Sequence, residues 1–440
     1  MSIFDKCYDY TDVEFVKQSG LYGFYRKCQG LDGSNVIYDG RSIIMAASSN
    51  YLGLSSDPRV IEAATVATQK YGASCTGSRL LNGNYDLHEE LETELAEFLG
   101  KESAMVLSSG FLANQAAIES LASSRDTIIS DRDNHASIIS GCTLSKAKLL
   151  RYEHSSMADL SEKLGTLEAS DNAIIISDGV FSMGGDIANL PEMVRLAKRS
   201  GKKKVPILID DAHGLGVLGE GGRGIGSHYG MADDVDLIVG PLSKALASVG
   251  GFIAGNSEVI NYIKHKARSM MFTAGLPAGP TAAALQALRI MRAEPERLER
   301  LRKNAATVKK AFREMGLNVL HTESPIIPVL VGEEGMALKL GQELFQRGLF
   351  ATPVPYPAVP YGQAIIRTSF MSTHTDEQIQ QVIDIFASLV KPYKLDQTES
   401  MSRDKNAAYS FTKAIGRRKL MVSGTRALLK RKIIKFASTI

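Results

Sequence analysis

Short apolar runs alternate with longer helical patterns through the middle of the chain. The runs contain mostly Val, Ile, Leu and small residues and occupy residues 103–109, 172–178, 205–211, 235–240 and 250–255. Uninterrupted apolar runs of this length are typical of strands buried on both faces of a parallel sheet, and the helical patterns between them indicate a layered α/β domain. The sequence therefore predicts a large, mostly parallel sheet covered by helices.

A second pattern begins after residue 281. Two long helical patterns are separated at Pro295, and the segments 325–332 and 364–371 predict strands that alternate with further helices. This pattern indicates a second, smaller α+β domain. The expected division is an N-terminal segment over residues 1–50, a large α/β domain over 51–290, a smaller C-terminal domain over 291–395 and a basic tail over 396–440.

The composition is that of an ordinary globular protein. The 440 residues are 44% hydrophobic and 22% charged, with a formal net charge of +3, so nothing indicates binding of nucleic acid. The four cysteines lack CxxC spacing and predict reduced thiols, and no metal site is expected. The N-terminal residues lack an apolar signal core, and no run reaches the roughly 18 apolar residues of a membrane-spanning helix. We therefore expect a cytoplasmic protein.

The last forty residues depart from this balance. Residues 401–440 contain eleven Lys or Arg, and Asp404 is the only acid among them. Apolar residues are mixed with this charge, as in a basic amphipathic helix that lies on an anionic membrane surface or on an acidic partner. A solvated tail explains the same composition, so both interpretations stay open, and peripheral membrane contact is one of them.

Polar residues that could bind a cofactor follow the predicted strands. Asp210 ends the apolar run 205–211, His213 lies three residues further on, and Lys244 occupies a turn of small residues after the run 235–240. Ligands of such sheets bind beyond the carboxyl ends of the strands. There a lysine can form a Schiff base with an aldehyde, and a carboxylate can hold a pyridine nitrogen protonated. Taken singly, a solvated lysine, a capping carboxylate and a packed loop histidine are the ordinary alternatives.

Three further segments fit the same ligand. Gly110 and Phe111 begin a helix directly after a strand, where free N–H groups and the helix dipole suit a phosphate. His135 follows another apolar run and could stack on an aromatic ring, and Ser182 lies in a glycine-rich loop. A helix start that binds nothing, a loop histidine and a capped turn are the alternatives. Together, however, an aldehyde trap, a ring-nitrogen partner, a stacking group and a phosphate cradle indicate pyridoxal phosphate.

The motifs around these residues keep a fixed order along roughly residues 15–395. They are "SSNYLGLS", "GSRLLNGNYDLHEELE", "SSGFLANQ", "DNHASI", "SDGVFSMGGD", "DDAHGLGVLGEGGRG", "SKALASVGGF", "FTAGLP" and "IIRTSFMSTHTDEQI". In these motifs the chain resembles the α-oxoamine synthases, which are pyridoxal-phosphate transferases of fold type I, the aspartate-aminotransferase fold. The resemblance implies a large, mostly parallel sheet domain, a smaller α+β domain and a homodimer with shared active sites.

The resemblance also implies a role for each candidate residue. Lys244 would carry the Schiff base, Asp210 would pair with the pyridinium, His213 would contact the phenolic oxygen and His135 would stack on the ring, with Lys244, Asp210 and His135 as the catalytic group. The remaining cofactor contacts would come from Gly110, Phe111, Ser182, Ser243 and, from the partner subunit, Thr273.

Substrate recognition is implied by two other positions. Asn50 matches an asparagine near the substrate, and Arg367 matches the arginine that forks onto the amino-acid carboxylate. The chain departs from the usual family pattern at three places. Pro241 replaces a threonine, so one phosphate contact is either missing or supplied by Ser243, while Gly184 replaces an aspartate and Ala358 a threonine.

The implied reaction is a decarboxylative condensation of an amino acid with an acyl-CoA, which releases CO2 and CoA and gives an aminoketone. Two segments, "GSRLLNGNYDLHEELE" and "SGLYGFYRKCQG", look most like the serine palmitoyltransferase branch of the family. L-Serine, a long-chain acyl-CoA and sphingolipid-type biosynthesis are therefore expected. The alternatives are glycine or alanine with another acyl thioester, as in 8-amino-7-oxononanoate synthase or 2-amino-3-ketobutyrate CoA ligase, an inactive scaffold subunit, and an aminotransferase on the same fold.

Overall fold

The protein is described here by a computed structural model that covers residues 2–168, 170–201 and 204–398. The predicted basic amphipathic segment over residues 401–440 lies outside the described residues. Within the described ranges, no helix combines the length and the apolar character that crossing a bilayer requires.

Strands and helices alternate along most of the described chain. The strands are β1 (Gly30–Asp32), β2 (Asn35–Tyr38), β3 (Arg41–Met45), β4 (Ser103–Leu107), β5 (Asp126–Asp131), β6 (Lys148–Tyr152), β7 (Asn172–Asp178), β8 (Ile207–Asp210), β9 (Leu237–Pro241), β10 (Gly251–Gly255), β11 (Ile326–Gly332), β12 (Leu349–Phe350), β13 (Thr352–Val354) and β14 (Ala364–Ser369). The helices are α1 (Asp5–Tyr8), α2 (Asp12–Gln18), α3 (Pro58–Tyr71), α4 (Asp86–Leu99), α5 (Gly110–Leu121), α6 (Ala136–Ser145), α7 (Met157–Gly165), α8 (Leu190–Arg199), α9 (Ile225–His228), α10 (Ser257–Lys266), α11 (Arg268–Met271), α12 (Ala278–Ala293), α13 (Glu296–Glu314), α14 (Glu334–Gln346) and α15 (Asp376–Tyr393).

The central sheet has the strand order β4-β10-β9-β8-β7-β5-β6. Strands β5 to β9 pair in parallel, and β10 is antiparallel to both of its neighbours, β4 and β9. All five apolar runs form strands of this sheet, which confirms that part of the sequence prediction. The carboxyl ends of β4, β9, β8 and β7 therefore meet at one edge of the sheet.

Both faces of the central sheet are buried, as the uninterrupted apolar runs predict. In β8, Ile207 and Ile209 belong to the hydrophobic core on one face, whereas Leu208 belongs to the core on the other. Because side chains alternate between faces along a strand, a strand without polar positions must be covered on both sides. The only polar residue of β8 is its last one, Asp210.

Two smaller sheets lie outside the central one. Strands β11, β14 and β13 form an antiparallel sheet that shares a core with α13, α14 and α15. The other sheet has the order β1-β2-β3-β12, in which Leu349 of β12 pairs with Ile44 of β3. The first fifty residues therefore pack against the C-terminal part of the chain. The predicted break at Pro295 is confirmed, since it separates α12 from α13.

Candidate active site

Lys244 lies in the turn that follows β9, at the polar edge of the central sheet. Its Nζ is 2.9 Å from Nε2 of His213. Burial lowers the pKa of Lys244 to about 8, although the carboxyl groups of Asp210 and Asp178 act in the opposite direction. A substantial fraction of the amine is therefore neutral near pH 8, as nucleophilic attack and proton abstraction both require.

His213 lies between Lys244 and a tyrosine that the sequence interpretation missed. Its Nδ1 is 2.6 Å from the hydroxyl oxygen of Tyr51, and the two rings meet edge to face. Burial, followed by the cations Lys244 and Arg367, lowers the pKa of His213 well below its ordinary value. The ring is therefore neutral and carries one N–H, so it accepts a hydrogen bond in one of these two contacts. Tyr51 lies within the motif "SSNYLGLS", but a buried aromatic residue in such a motif is more often part of a core.

The carboxylate of Asp210 is fixed from two sides. The side-chain amide of Asn114 donates to Oδ2 at 2.6 Å, and the backbone N–H of Ala212 donates to Oδ1 at 3.1 Å. Asn114 also donates to the hydroxyl of Ser137 at 2.9 Å, so α5 and α6 are both tied to Asp210. The sequence interpretation missed Asn114. Its signal is a polar amide among the alanines and the isoleucine that are the other buried residues of α5.

Asp178 ends β7 and pairs in register with Asp210 on the neighbouring strand. Its Oδ2 accepts the backbone N–H of His135 at 3.2 Å, while its buried Oδ1 has no hydrogen-bond partner within the described residues. Burial, and then the neighbouring Asp210, raises the pKa of Asp178 well above its ordinary value. Two buried carboxyl groups at adjacent strand ends cannot both ionise without a large cost, so this pair favours a single negative charge.

His135 caps the N-terminus of α6. Its Nδ1 is 2.7 Å from the hydroxyl of Ser137 and accepts from the backbone N–H of the same residue. His135 is exposed, while its backbone N–H donates to Asp178. An accessible imidazole beside Asp210 and Lys244, which both influence it electrostatically, suits stacking on a bound ring.

The start of α5 forms the candidate phosphate cradle. The Ser109 hydroxyl accepts the N–H of Leu112, and the first N–H groups of a helix have no acceptor within the helix. Gly110 is closely enclosed: a Cβ there would lie 2.7 Å from Cβ of Pro241, and one at Gly251 would lie 2.6 Å from Cα of Gly110. Pro241, one of the departures from the family pattern, therefore packs directly against the cradle. Because glycine has no side chain, a phosphate group could come close to the backbone N–H groups at this helix start.

Replacing Gly110 by alanine should weaken cofactor binding strongly. The added Cβ would collide with Pro241, so the first turn of α5 would have to move away from the sheet edge. We expect at least about a tenfold rise in the dissociation constant for pyridoxal phosphate, measured by absorbance titration of the cofactor-free protein. The matched control is Gly165→Ala at the end of α7, where an added Cβ meets nothing within 4 Å. Equal affinity in the two variants would contradict the cradle assignment.

The substrate side of the site contains Arg367, which belongs to β14. Its Nε–H donates to the backbone carbonyl of Ser182 at 2.6 Å, and the residue is buried. Arg367 also lies close enough to Tyr51 and Lys244 to influence both groups electrostatically. The sheet β11-β14-β13 and the central sheet thus each supply part of one site.

Three predicted site residues, Asn50, Ser243 and Thr273, form no side-chain hydrogen bond with this group within the described residues. The amide of Asn50 is turned into its own loop, where Nδ2 donates to the hydroxyl of Ser55 at 2.8 Å and Oδ1 accepts its N–H. Ser243 is exposed beside Lys244. Thr273 belongs to a segment that lies against the end of β4, where the hydroxyl of Ser108 donates to the carbonyl of Ala274 at 2.7 Å.

The other two departures from the family pattern have different settings. At Gly184 a Cβ would lie 2.2 Å from Oδ1 of Asp186, so that carboxylate occupies the space of the missing side chain. Ala358 is exposed, and nothing in the structure explains its substitution.

A family model for aminotransferases of class I and II matches residues 41–386. The chain belongs to this family. It is 44% identical to a serine palmitoyltransferase from Sphingobacterium spiritivorum over 88% of this chain and 96% of the relative. It is 40% identical to an 8-amino-7-oxononanoate synthase from Thermosipho melanesiensis over 87% of this chain and 98% of the relative.

Solved structures agree with these matches. The serine palmitoyltransferase of Sphingomonas wittichii superimposes with a TM-score of 0.85 and 36% identity, covering 90% of this chain and 98% of that one. A serine palmitoyltransferase from S. paucimobilis with a bound PLP–myriocin aldimine gives a TM-score of 0.85 at 33% identity, covering 89% and 98%. The predicted fold type I architecture and the resemblance to α-oxoamine synthases are confirmed.

Proposed function

We propose that this protein is a pyridoxal-phosphate-dependent acyltransferase that condenses L-serine with a long-chain acyl-CoA. The products would be CO2, CoA and an aminoketone of the 3-ketosphinganine type. The observation that carries the proposal is the placement of the Lys244 amine 2.9 Å from His213, with Asp210 at the end of the adjacent strand. The similarity to serine palmitoyltransferases over most of the chain supports the choice of substrates.

The residues present fit the cofactor. Gly110 and Phe111 would bind its phosphate, Asp210 its ring nitrogen and His213 its phenolic oxygen, with His135 against the ring. The closely packed glycine backbone at the start of α5 and the doubly hydrogen-bonded carboxylate of Asp210 are the features that support this fit. When bound, pyridoxal phosphate supplies an electron sink for charge that develops at the Cα atom of an amino acid.

The chain's own groups account for binding and proton transfer. Arg367 would hold the substrate carboxylate through its guanidinium fork, in an orientation set by its contact with the Ser182 carbonyl. The Lys244 amine, whose pKa is lowered to about 8, would accept the Cα proton and later return one. The negative charge of Asp210 would hold a proton on the ring nitrogen, and the neutral His213 would exchange a hydrogen bond with the phenolic oxygen.

A second candidate activity uses a different amino acid and acyl group. The 8-amino-7-oxononanoate synthases are 39–42% identical over comparable lengths, a range that overlaps the 41–44% of the serine palmitoyltransferases. The presence of Lys244 in a formed site weighs against an inactive scaffold subunit.

The test is a spectral titration of the purified, cofactor-loaded protein with serine, glycine, alanine and threonine, followed by CoA release with acyl-CoAs of graded chain length. We expect visible absorbance, the strongest response to serine and the fastest CoA release with palmitoyl-CoA. Preference for alanine or glycine with a shorter acyl chain would favour the second candidate. Conversion of the cofactor to pyridoxamine phosphate by serine alone would indicate an aminotransferase.

The proposal includes a homodimer in which Thr273 reaches the partner's phosphate site. Large apolar side chains are exposed close to the cradle: Leu81 is 81% exposed and Phe272 is 79% exposed. Ser78 bridges to Ala274, so these two apolar side chains are carried by neighbouring segments. An exposed apolar surface beside the start of α5 suits burial against a second copy of the chain. Sedimentation at micromolar concentration should give twice the chain mass, and a monomer that retains full activity would contradict this assembly.

The remaining expectations concern organisation and location. We propose the division at about residues 50, 290 and 395, and a cytoplasmic location, on the grounds given from the sequence. Membrane contact through residues 401–440 stays a prediction, and its measurement is liposome binding of the full chain compared with a chain that ends at residue 400.

A further inference from the structure

A buried histidine outside the cofactor site is held between two carboxylates. His154 follows β6, and its Nδ1 lies 3.0 Å from Oδ1 of Asp131 while its Nε2 lies 2.8 Å from Oδ2 of Asp186. The ring packs edge-on against Phe181, with centroids 4.3 Å apart. Ionised carboxylates only accept hydrogen bonds, so both ring nitrogens must donate and the imidazole is a cation.

The charge state of His154 agrees with this geometry. Burial lowers the pKa of His154, but the hydrogen bonds to Asp131 and Asp186 and the negative charges of these two residues together outweigh burial and raise the pKa to about 9. The carboxylate of Asp133 adds a more distant negative charge, with its Oδ2 3.9 Å from Nδ1. The cation therefore persists through the neutral pH range.

One end of this ion bridge is fixed to the central sheet. Asp131 is the last residue of β5 and is buried. Its carboxylate also accepts the backbone N–H groups of Asp133 and Ser155, each at 2.8 Å. Asp131 is therefore held rigidly. Because His154 contacts both Asp131 and Asp186, it fixes Asp186 relative to the end of β5.

The other end lies in the turn of residues 181–186. The turn is closed by a bridge between Val180 and Ile187 and by the N–H of Gly185, which donates to the Phe181 carbonyl at 2.8 Å. Asp186 is the only acidic residue of the turn, because the sequence has glycine at position 184. An added Cβ at Gly184 would collide with the Asp186 carboxylate, so the glycine permits the pose that reaches His154.

The same turn contacts the arginine of the substrate site. The carbonyl of Ser182 accepts Nε–H of Arg367 at 2.6 Å. A displaced turn would move this carbonyl and rotate the guanidinium plane, which is the plane on which bidentate carboxylate binding depends. His154 is therefore connected to Arg367 through two residues of this turn: Asp186 contacts His154, and the carbonyl of Ser182 contacts Arg367.

We propose that His154 is a positioning residue for the amino-acid substrate. Its imidazolium, clamped between Asp131 and Asp186, holds the turn 181–186 so that the Ser182 carbonyl orients Arg367 toward the substrate carboxylate. The inference rests on the proposed function in one respect, the role of Arg367 as the carboxylate-binding group. It does not depend on which amino acid is the natural substrate.

The test compares the cofactor-loaded wild type with His154→Gln, which removes the charge and keeps a polar side chain. We expect the visible absorbance of the cofactor and kcat at saturating serine to stay within about twofold of wild type, and the KM for serine to rise about tenfold. The spectral affinity for ethanolamine, which has serine's amine and hydroxyl but no carboxylate, should not change. The matched control is His265→Gln, an exposed histidine on α10, which should leave all these values unchanged.

A second variant keeps the inference falsifiable if His154→Gln does not fold. Asp186→Asn retains a hydrogen-bond acceptor for His154 and loses the charge, so it should raise the KM for serine in the same direction and by less. An unchanged KM in both variants would overturn the inference, as would equal weakening of serine and ethanolamine. A wild type that responds to no amino acid would instead contradict the proposed function, so the two failures can be told apart.

Discussion

Replacing Lys244 by alanine is expected to abolish the covalent attachment of pyridoxal phosphate and to lower CoA release by at least about 10³-fold. Two roles disappear together, because the same amine is the nucleophile for the aldehyde and the base for the Cα proton. His213, 2.9 Å away, cannot replace it, since its pKa is far below the assay range and its Nδ1 is held by Tyr51. The measurement is borohydride reduction followed by mass analysis of the peptide that contains residue 244.

The control for this variant is Lys266→Ala, which removes an exposed lysine from the end of α10. It should retain the adduct and the activity. The pH dependence supplies an independent check: because attack requires the neutral amine, attachment to cofactor-free wild type should become faster as the pH rises through about 8. A reduced adduct of undiminished yield in Lys244→Ala would contradict the assignment.

The positions of these groups could be predicted because the information is local. An apolar run that ends in a polar residue marks both a strand and its end, and β7, β8 and β9 end at or next to the predicted strand ends. In a parallel sheet such ends share one edge, so Asp210 and Lys244 come together without any knowledge of side-chain packing. The cofactor roles of these residues remain predictions that Lys244→Ala and Asp210→Asn would test.

The supporting contacts could not be predicted, because each joins distant parts of the chain. Asn114 reaches Asp210 across 96 positions, and Arg367 reaches Ser182 across 185. Arg367 and Ser182 are recognised singly from their motifs, but no local pattern indicates which distant atom each of these residues contacts. The pairing of β3 with β12 is a further case, since a two-residue strand gives too little apolar pattern to be recognised.

Asn50 illustrates a different limit. Its motif resembles the family pattern, but within this single chain its amide bonds to Ser55, five residues away. Asparagine side chains readily form such local hydrogen bonds, and these compete with contacts to a ligand. A sequence motif therefore specifies that the residue is near the site, whereas the direction of its amide depends on what else is bound there.

Replacing Asp210 by asparagine is expected to leave cofactor attachment intact and to lower CoA release by about 10²- to 10³-fold. Asparagine has the same shape but only one acceptor oxygen, so it can keep the hydrogen bond from Asn114 or the one from the Ala212 N–H, and the negative charge is lost. Without that charge the protonated form of the ring nitrogen is no longer stabilised, and negative charge that develops at Cα is less well delocalised into the ring. Single-turnover loss of the Cα proton, followed with deuterated serine, separates this step from binding.

Asp178→Asn is the control that shows whether the effect of Asp210→Asn comes from the loss of charge. Asp178 ends the neighbouring strand and is equally buried, but burial and the neighbouring Asp210 raise its pKa, so Asp210 would carry the single negative charge that the pair favours. Exchanging a neutral acid for a neutral amide that can still accept the His135 N–H should cost far less, about tenfold or below. If the two variants lose the same activity, the loss does not depend on the charge of Asp210, and the pairing of Asp210 with a protonated ring would be wrong.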